Sequence, residues 1–142
     1  MAARLYRRAP GGLPDSVRLV QLRTLPDSYA VVRLQPGSEL PPWVDKGPFR
    51  SVTRTDHEVS VVCRDGDVPT GESAERGWRV LEAVGPLDFS LTGILLSLVT
   101  PLAEADVPIF AISTFETDYL LVRGHDLEDA VEALELADHE VA

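Results

Sequence analysis

The sequence predicts an α+β fold made of two tandem units of one design, the first degenerate with reduced helices and the second complete. Three observations predict it. A hairpin-like stretch recurs after a constant interval; a long apolar helical stripe follows a strand in the second half; and short alternating runs flank both. The chain has 142 residues, enough for one domain or two small halves that support each other. Hydrophobic residues make up 44% but aromatics only 6%, so the core has to be largely aliphatic.

Residues 1–16 read as an N-terminal tail, with Arg4, Arg7 and Arg8 on a solvated segment. The first unit spans 17–64. Tyr29–Leu34 (YAVVRL) is a strand, Ser38–Val44 holds about one helical turn, and Arg50–Arg54 and Glu58–Cys63 are strands. Cys63 sits in an apolar run and reads as a small buried hydrophobe. Residues 65–77 (DGDVPTGESAERG) are turn-rich and polar and read as a linker.

The second unit spans 78–142. Trp78–Val84 alternates as a strand covered on both sides over part of its length. Gly85–Ser90 is a loop leading to a helix, in which Leu91, Ile94, Leu95, Leu98, Leu102 and Ala105 form one apolar stripe. Pro101 has no N–H to donate, so it kinks this helix or opens its last turn. Phe110–Ser113 and Tyr119–Val122 are strands. A last helix starts at Asp126 as N-cap, with Glu128 and Asp129 at its positive end and Leu127, Ala130, Val131 and Leu134 on its apolar face.

The repeat shows when Ser51–Val62 (SVTRTDHEVSVV) is written under Ala111–Val122 (AISTFETDYLLV) without gaps, an offset of 60 that pairs Glu58 with Asp118 and Thr53 with Ser113. Between its strands the second copy carries Thr114-Phe115-Glu116-Thr117-Asp118, not the Asn-Gly or Asp-Gly of a tight hairpin. Hydroxyls, acids and an aromatic ring at a turn mark a candidate site.

The residue content also excludes. A net charge of −10 disfavours nucleic acid, since binding a polyanion would begin with repulsion. No stretch approaches about 20 consecutive apolar residues, so no membrane span is expected. The Asp56-His57-Glu58 triplet has neighbours on opposite faces of a strand and no partner His or Cys at ligand spacing, so no metal is expected. No phosphate loop, nucleophile elbow or Cys–His arrangement occurs, so neither a cofactor nor catalysis is expected. Soluble, cytoplasmic and non-enzymatic is the resulting expectation.

Gly85–Leu95 (GPLDFSLTGIL), Pro101–Val122 and His125–Leu134 (HDLEDAVEAL) together resemble an ACT domain, the ferredoxin-like βαββαβ ligand-sensing module. More closely they resemble the branch found in short bacterial ACT-repeat proteins and eukaryotic cytosolic arginine sensors, and Phe49–Cys63 resembles the degenerate leading repeat of that branch. The resemblance implies a free amino acid bound without catalysis at an interface between ACT units, a homodimer, and a regulated protein partner. It implies that Asp88, Leu91, Thr92 and Gly93 line the helix start and that Ile112, Ser113, Thr114, Phe115 and Asp118 face them, with Asp118 on the ligand's α-amine. An apolar residue, Leu91, stands near where the arginine sensors carry an acid, so the resemblance does not single out arginine. The same fold retained only as an oligomerisation or protein-interaction module is the alternative.

Overall fold

A computed structural model describes residues 19–84 and 93–142. The described chain runs β1 (Gln21–Thr24), β2 (Tyr29–Leu34), β3 (Ser51–Arg54), β4 (Val59–Arg64), β5 (Ala74–Ala83), α1 (Ile94–Glu104), β6 (Ile109–Ser113), β7 (Asp118–Arg123), α2 (Leu127–Leu136) and β8 (Glu140–Val141). Short 3-10 turns lie at Pro42–Val44, Asp65–Asp67 and Gly124–Asp126. The chain forms two compact units, Pro26–Val80 and a C-terminal unit of Leu81–Ala142 joined by the residues up to Leu25. Strand β5 gives its first part to one unit and its end to the other.

In the unit Pro26–Val80, β3, β4, β2 and β5 are neighbours in that order, all antiparallel. The β2–β4 register sets Ala30 against Cys63, Val32 against Val61 and Leu34 against Val59, so one strand face carries a continuous apolar set. These residues join Val44 and Val68 in the unit's core. Helices are reduced to 3-10 turns, as expected, and polar clamps hold the second of them. Arg76 donates from Nη1 to Asp65 Oδ1 at 2.7 Å and from Nη2 to the Pro69 carbonyl at 2.9 Å, and Arg64 Nε donates to Asp67 Oδ2 at 2.8 Å.

The expected linker 65–77 is thus partly structured. It contains the Asp65–Asp67 turn, and β5 begins within it at Ala74. Its composition hid the strand because Gly77 sits at φ +79°, where the β2–β5 register shifts between Tyr29 and Val31, and a bulge interrupts alternation.

In the C-terminal unit, β6 pairs with β7, and β7 also pairs with β5. Strand β1 lies between β5 and β8, antiparallel to β5 (Leu22 opposite Ala83) and parallel to β8 (Leu22 opposite Val141). Gln21–Thr24, expected within the first unit 17–64, is a strand that packs with the C-terminal unit instead. Leu22, Leu81, Ala83, Leu98, Leu102, Leu120, Val122, Ala130 and Leu134 form that unit's core. Val80 and Leu81, on opposite faces of β5, are both fully buried, as expected for a strand covered on both sides.

Both helices end alike. Asp106 (φ +57°) and Asp138 (φ +72°) stand in the left-handed region just past each C-cap. Val107 N–H then donates to Leu102 O at 2.9 Å and His139 N–H to Leu134 O at 3.0 Å. The same reversal closes α1 and α2 without a glycine. Asp126 occupies the N-cap position of α2 but makes no side-chain capping bond, because the 3-10 turn Gly124–Asp126 already leads the chain into the helix.

The repeated hairpin is real, but its register is 59, not 60. Both loops have four residues: Arg54 pairs with Val59 and Ser113 with Asp118. Thr55 therefore corresponds to Thr114, and Arg64 and Arg123 both precede a 3-10 turn. A slip of one residue exchanges the two faces of a strand, so the correction changes which side chains are equivalent. Val59 takes the place of Asp118 and Arg54 that of Ser113.

Cys63 is buried in β4, as expected. Burial, then Asp67 and Asp65, pushes its thiol from 9.0 up to about 11. The folded chain holds this proton more tightly than the unfolded chain does. The thiol therefore leaves stability unchanged below pH 9.0 and lowers it as pH rises toward about 11. Melting temperatures measured across this window should fall, and Cys63→Ala should flatten the slope.

Candidate functional site

The tip Thr114-Phe115-Glu116-Thr117 closes without glycine because a threonine hydroxyl does the turn's bonding. Thr114 N–H donates to the Thr117 carbonyl at 2.8 Å, Thr114 Oγ1 donates to the same carbonyl at 3.1 Å, and Thr117 N–H reaches Thr114 Oγ1 at 3.3 Å. Thr55 closes the β3–β4 tip in the same way, with Thr55 N–H on the Glu58 carbonyl at 3.0 Å and Glu58 N–H on Thr55 Oγ1 at 3.1 Å. The turn itself is architecture. What differs between the copies is what the turn carries.

In the C-terminal hairpin Ser113 Oγ donates to Asp118 Oδ1 at 2.5 Å across the first strand pair. The serine fixes the carboxylate in a charge-assisted hydrogen bond at the mouth of the tip. The other carboxylate oxygen, Oδ2, has no hydrogen-bond partner among the described residues. Phe115 is 84% exposed, with Glu116 beside it. Next to Asp118, burial raises the Tyr119 phenol, and the charges of Glu82 and Glu116 raise it further while Arg23 opposes. Glu82 is paired with Arg23 at 2.9 Å. Asp118 itself is the carboxylate at the hairpin mouth that suits an ammonium group.

Thr117 lies in the polar tip but is not among the residues expected to line the site. It is only 8% exposed, and its Oγ1 donates to the Ala83 carbonyl at 2.7 Å. Ala83 is the last residue of β5, so this bond ties the hairpin tip to the strand end that leads into residues 85–92. A polar residue in a turn gives no sign of burial, and the β3–β4 tip has Glu58 at the equivalent position.

In the same unit, Gly93 heads α1 at φ +86°, a conformation that favours glycine, and its carbonyl accepts from Ser97 N–H at 2.8 Å. Gly93 brings no side-chain cap to the first-turn N–H groups of α1. Asp88, Leu91 and Thr92 lie outside the described residues. Of the candidates, the structure gathers Ile112, Ser113, Thr114, Phe115 and Asp118 on one hairpin, places Ser113 and Asp118 in contact, and sets Gly93 at the helix start of the same unit.

The C-terminal unit is thus an α+β unit in the order βαββαβ, with a polar hairpin tip and a glycine-led helix. The chain belongs to the ACT-domain proteins: the ACT-domain profile matches residues 73–135, and a profile for an N-terminal domain matches 27–71. A solved protein of Agobacterium tumefaciens is 40% identical, covering 87% of this chain and 92% of its own, with a TM-score of 0.82. The bovine (Bos taurus) cytosolic arginine sensor for mTORC1 subunit 1 is 33% identical over 97 residues, 61% of this chain but only 30% of the sensor. The human (Homo sapiens) sensor of the same name is 37% identical over 59 residues, 41% of this chain and 18% of its own. A solved structure of aspartokinase alpha and beta subunits shares the fold with a TM-score of 0.60 at 14% identity, over 83% of this chain and 97% of its own.

Thr117→Val keeps the shape of the side chain but leaves the Ala83 carbonyl without its donor, an expected cost of about 1–3 kcal/mol. Thermal unfolding should show the loss for Thr117→Val and most of the stability restored for Thr117→Ser. Equal melting of the valine variant and the parent chain would remove Thr117 from this role.

Proposed function

We propose that the chain is a non-catalytic cytoplasmic sensor that binds a free amino acid at an interface between ACT units. The ligand's carboxylate meets the backbone N–H groups around residues 88–93, and its ammonium meets Asp118. The observation that carries this reading is the Ser113–Asp118 pair, a carboxylate held in place at the hairpin mouth and absent from the otherwise equivalent β3–β4 hairpin. A fixed carboxylate receives an ammonium in charge-assisted hydrogen bonds, and a helix start receives a carboxylate. Membership of the ACT-domain proteins and the likeness to arginine sensors support a regulatory role. Among the described residues no helix is long and apolar enough to cross a membrane.

A ligand that binds only the native chain raises its melting temperature by mass action. At least one of the common amino acids at millimolar concentration should raise it, and Asp118→Asn should remove that response while the chain stays folded. No response to any of them would end the reading; a response that survives Asp118→Asn would remove Asp118 from the site.

A second reading, pairing with another copy of the chain, is supported by β6. Its five residues, Ile109–Ser113, carry no charge, and among the described residues it pairs with β7 alone. An edge strand without a charged residue favours pairing with another edge. Sedimentation should show a dimer that Ala111→Lys, on β6, converts to monomer.

A further inference from the structure

His139 is 4% exposed and makes two hydrogen bonds that the ligand reading does not use. Val20 N–H, which can only donate, points at His139 Nδ1 at 3.1 Å. The carbonyl of Ser97, which can only accept, lies 2.9 Å from His139 Nε2. The ring in this geometry therefore carries its proton on Nε2 and offers a lone pair at Nδ1. Ser97 stands four residues before Pro101. In a regular helix its carbonyl would receive the N–H of residue 101, and proline has none. Helix α1 runs through Pro101 to Glu104, leaving that buried carbonyl without its helical donor.

We infer that His139 is a positioning residue whose imidazole supplies the hydrogen bond that Pro101 withholds from Ser97, latching α1 to the β1–β8 strand pair. The same ring caps the start of that pair. Glu140 N–H donates to the Val20 carbonyl at 3.1 Å, while Val20 N–H goes to the imidazole. One side chain thus satisfies two buried backbone groups, one on the helix and one on the strand. His139 also follows Asp138 at the position where a helix ending of this kind usually places an apolar residue against the last turn. Leu134 receives its backbone N–H there, so the ring is set by the end of α2. Three segments, α1, the end of α2 and the lead-in to β1, thus meet on His139, two through its ring and one through its backbone N–H. Through Ser97, whose own N–H bonds Gly93, the latch reaches the first turn of α1. Its bearing on ligand binding rests on the amino-acid reading above; the latch itself does not.

A double-mutant cycle tests it. His139→Phe keeps the ring's bulk and removes both bonds, and should lower the melting temperature by about 5 °C or more. Pro101→Ala returns an N–H to the Ser97 carbonyl, so in that background His139→Phe should cost distinctly less. Equal losses in both backgrounds would overturn the inference. Nitrogen NMR of the unmutated chain supplies a measurement that needs no variant to fold: the Nε2–H tautomer supports the latch, and the Nδ1–H tautomer overturns it. An additive cycle in a chain that responds to amino acids refutes the latch alone. A coupled cycle in a chain that responds to none refutes the sensor reading alone.

Discussion

Strand β1 is four residues long, yet the C-terminal unit depends on its insertion. It hydrogen-bonds antiparallel to β5 on one side and parallel to β8 on the other, and it delivers Leu22 into the core beside Leu81, Leu98 and Leu134. Without it, the two-residue β8 would lose its ladder, and His139 would lose the Val20 N–H that sets its ring. Burying the Leu22 side chain contributes roughly 1.5–3 kcal/mol, and each net hydrogen bond only about 1 kcal/mol. The apolar contact therefore carries more of the insertion's stability, and the ladder decides its register.

The two hairpins separate architecture from function within one chain. Each closes on a threonine hydroxyl with the same three bonds, to which the first adds one from His57 N–H, and each leads into a 3-10 turn after an arginine. The first places Arg54 and Val59 where the second places Ser113 and Asp118. Val59 faces a core, and Asp118 stands at the hairpin mouth, held by Ser113. A fold that repeats can keep its turn chemistry in both copies while concentrating ligand chemistry in one.

Helix α1 shows how a locally unfavourable residue is accommodated. Pro101 inside a helix removes one bond and crowds the preceding turn, a cost of about 3 kcal/mol in an isolated helix. Here the carbonyl it strands is met by a side chain 42 residues further on. The proline makes the position of α1 answer to a partner outside the helix.

The sequence by itself determined the strands Tyr29–Leu34 and the paired runs before and after each hairpin tip, the apolar stripe of α1, the acidic start of α2 and the burial of Cys63. These features rest on local alternation, helical spacing and charge near a helix end, all of which act between residues close in the chain. It pointed to Thr114, Phe115 and Asp118 because a polar turn between two apolar strands is visible without knowing its partners, whereas Ser113 came only with the ACT resemblance. Only the tertiary structure decided the strand role of Gln21–Thr24, the 59-residue register of the repeat, the start of β5 inside an apparent linker, and the bonds of Thr117 to Ala83 and His139 to Ser97. Each depends on a partner far along the chain or on a bulge that breaks alternation. Hydrogen bonding across such distances leaves no periodic trace in the sequence.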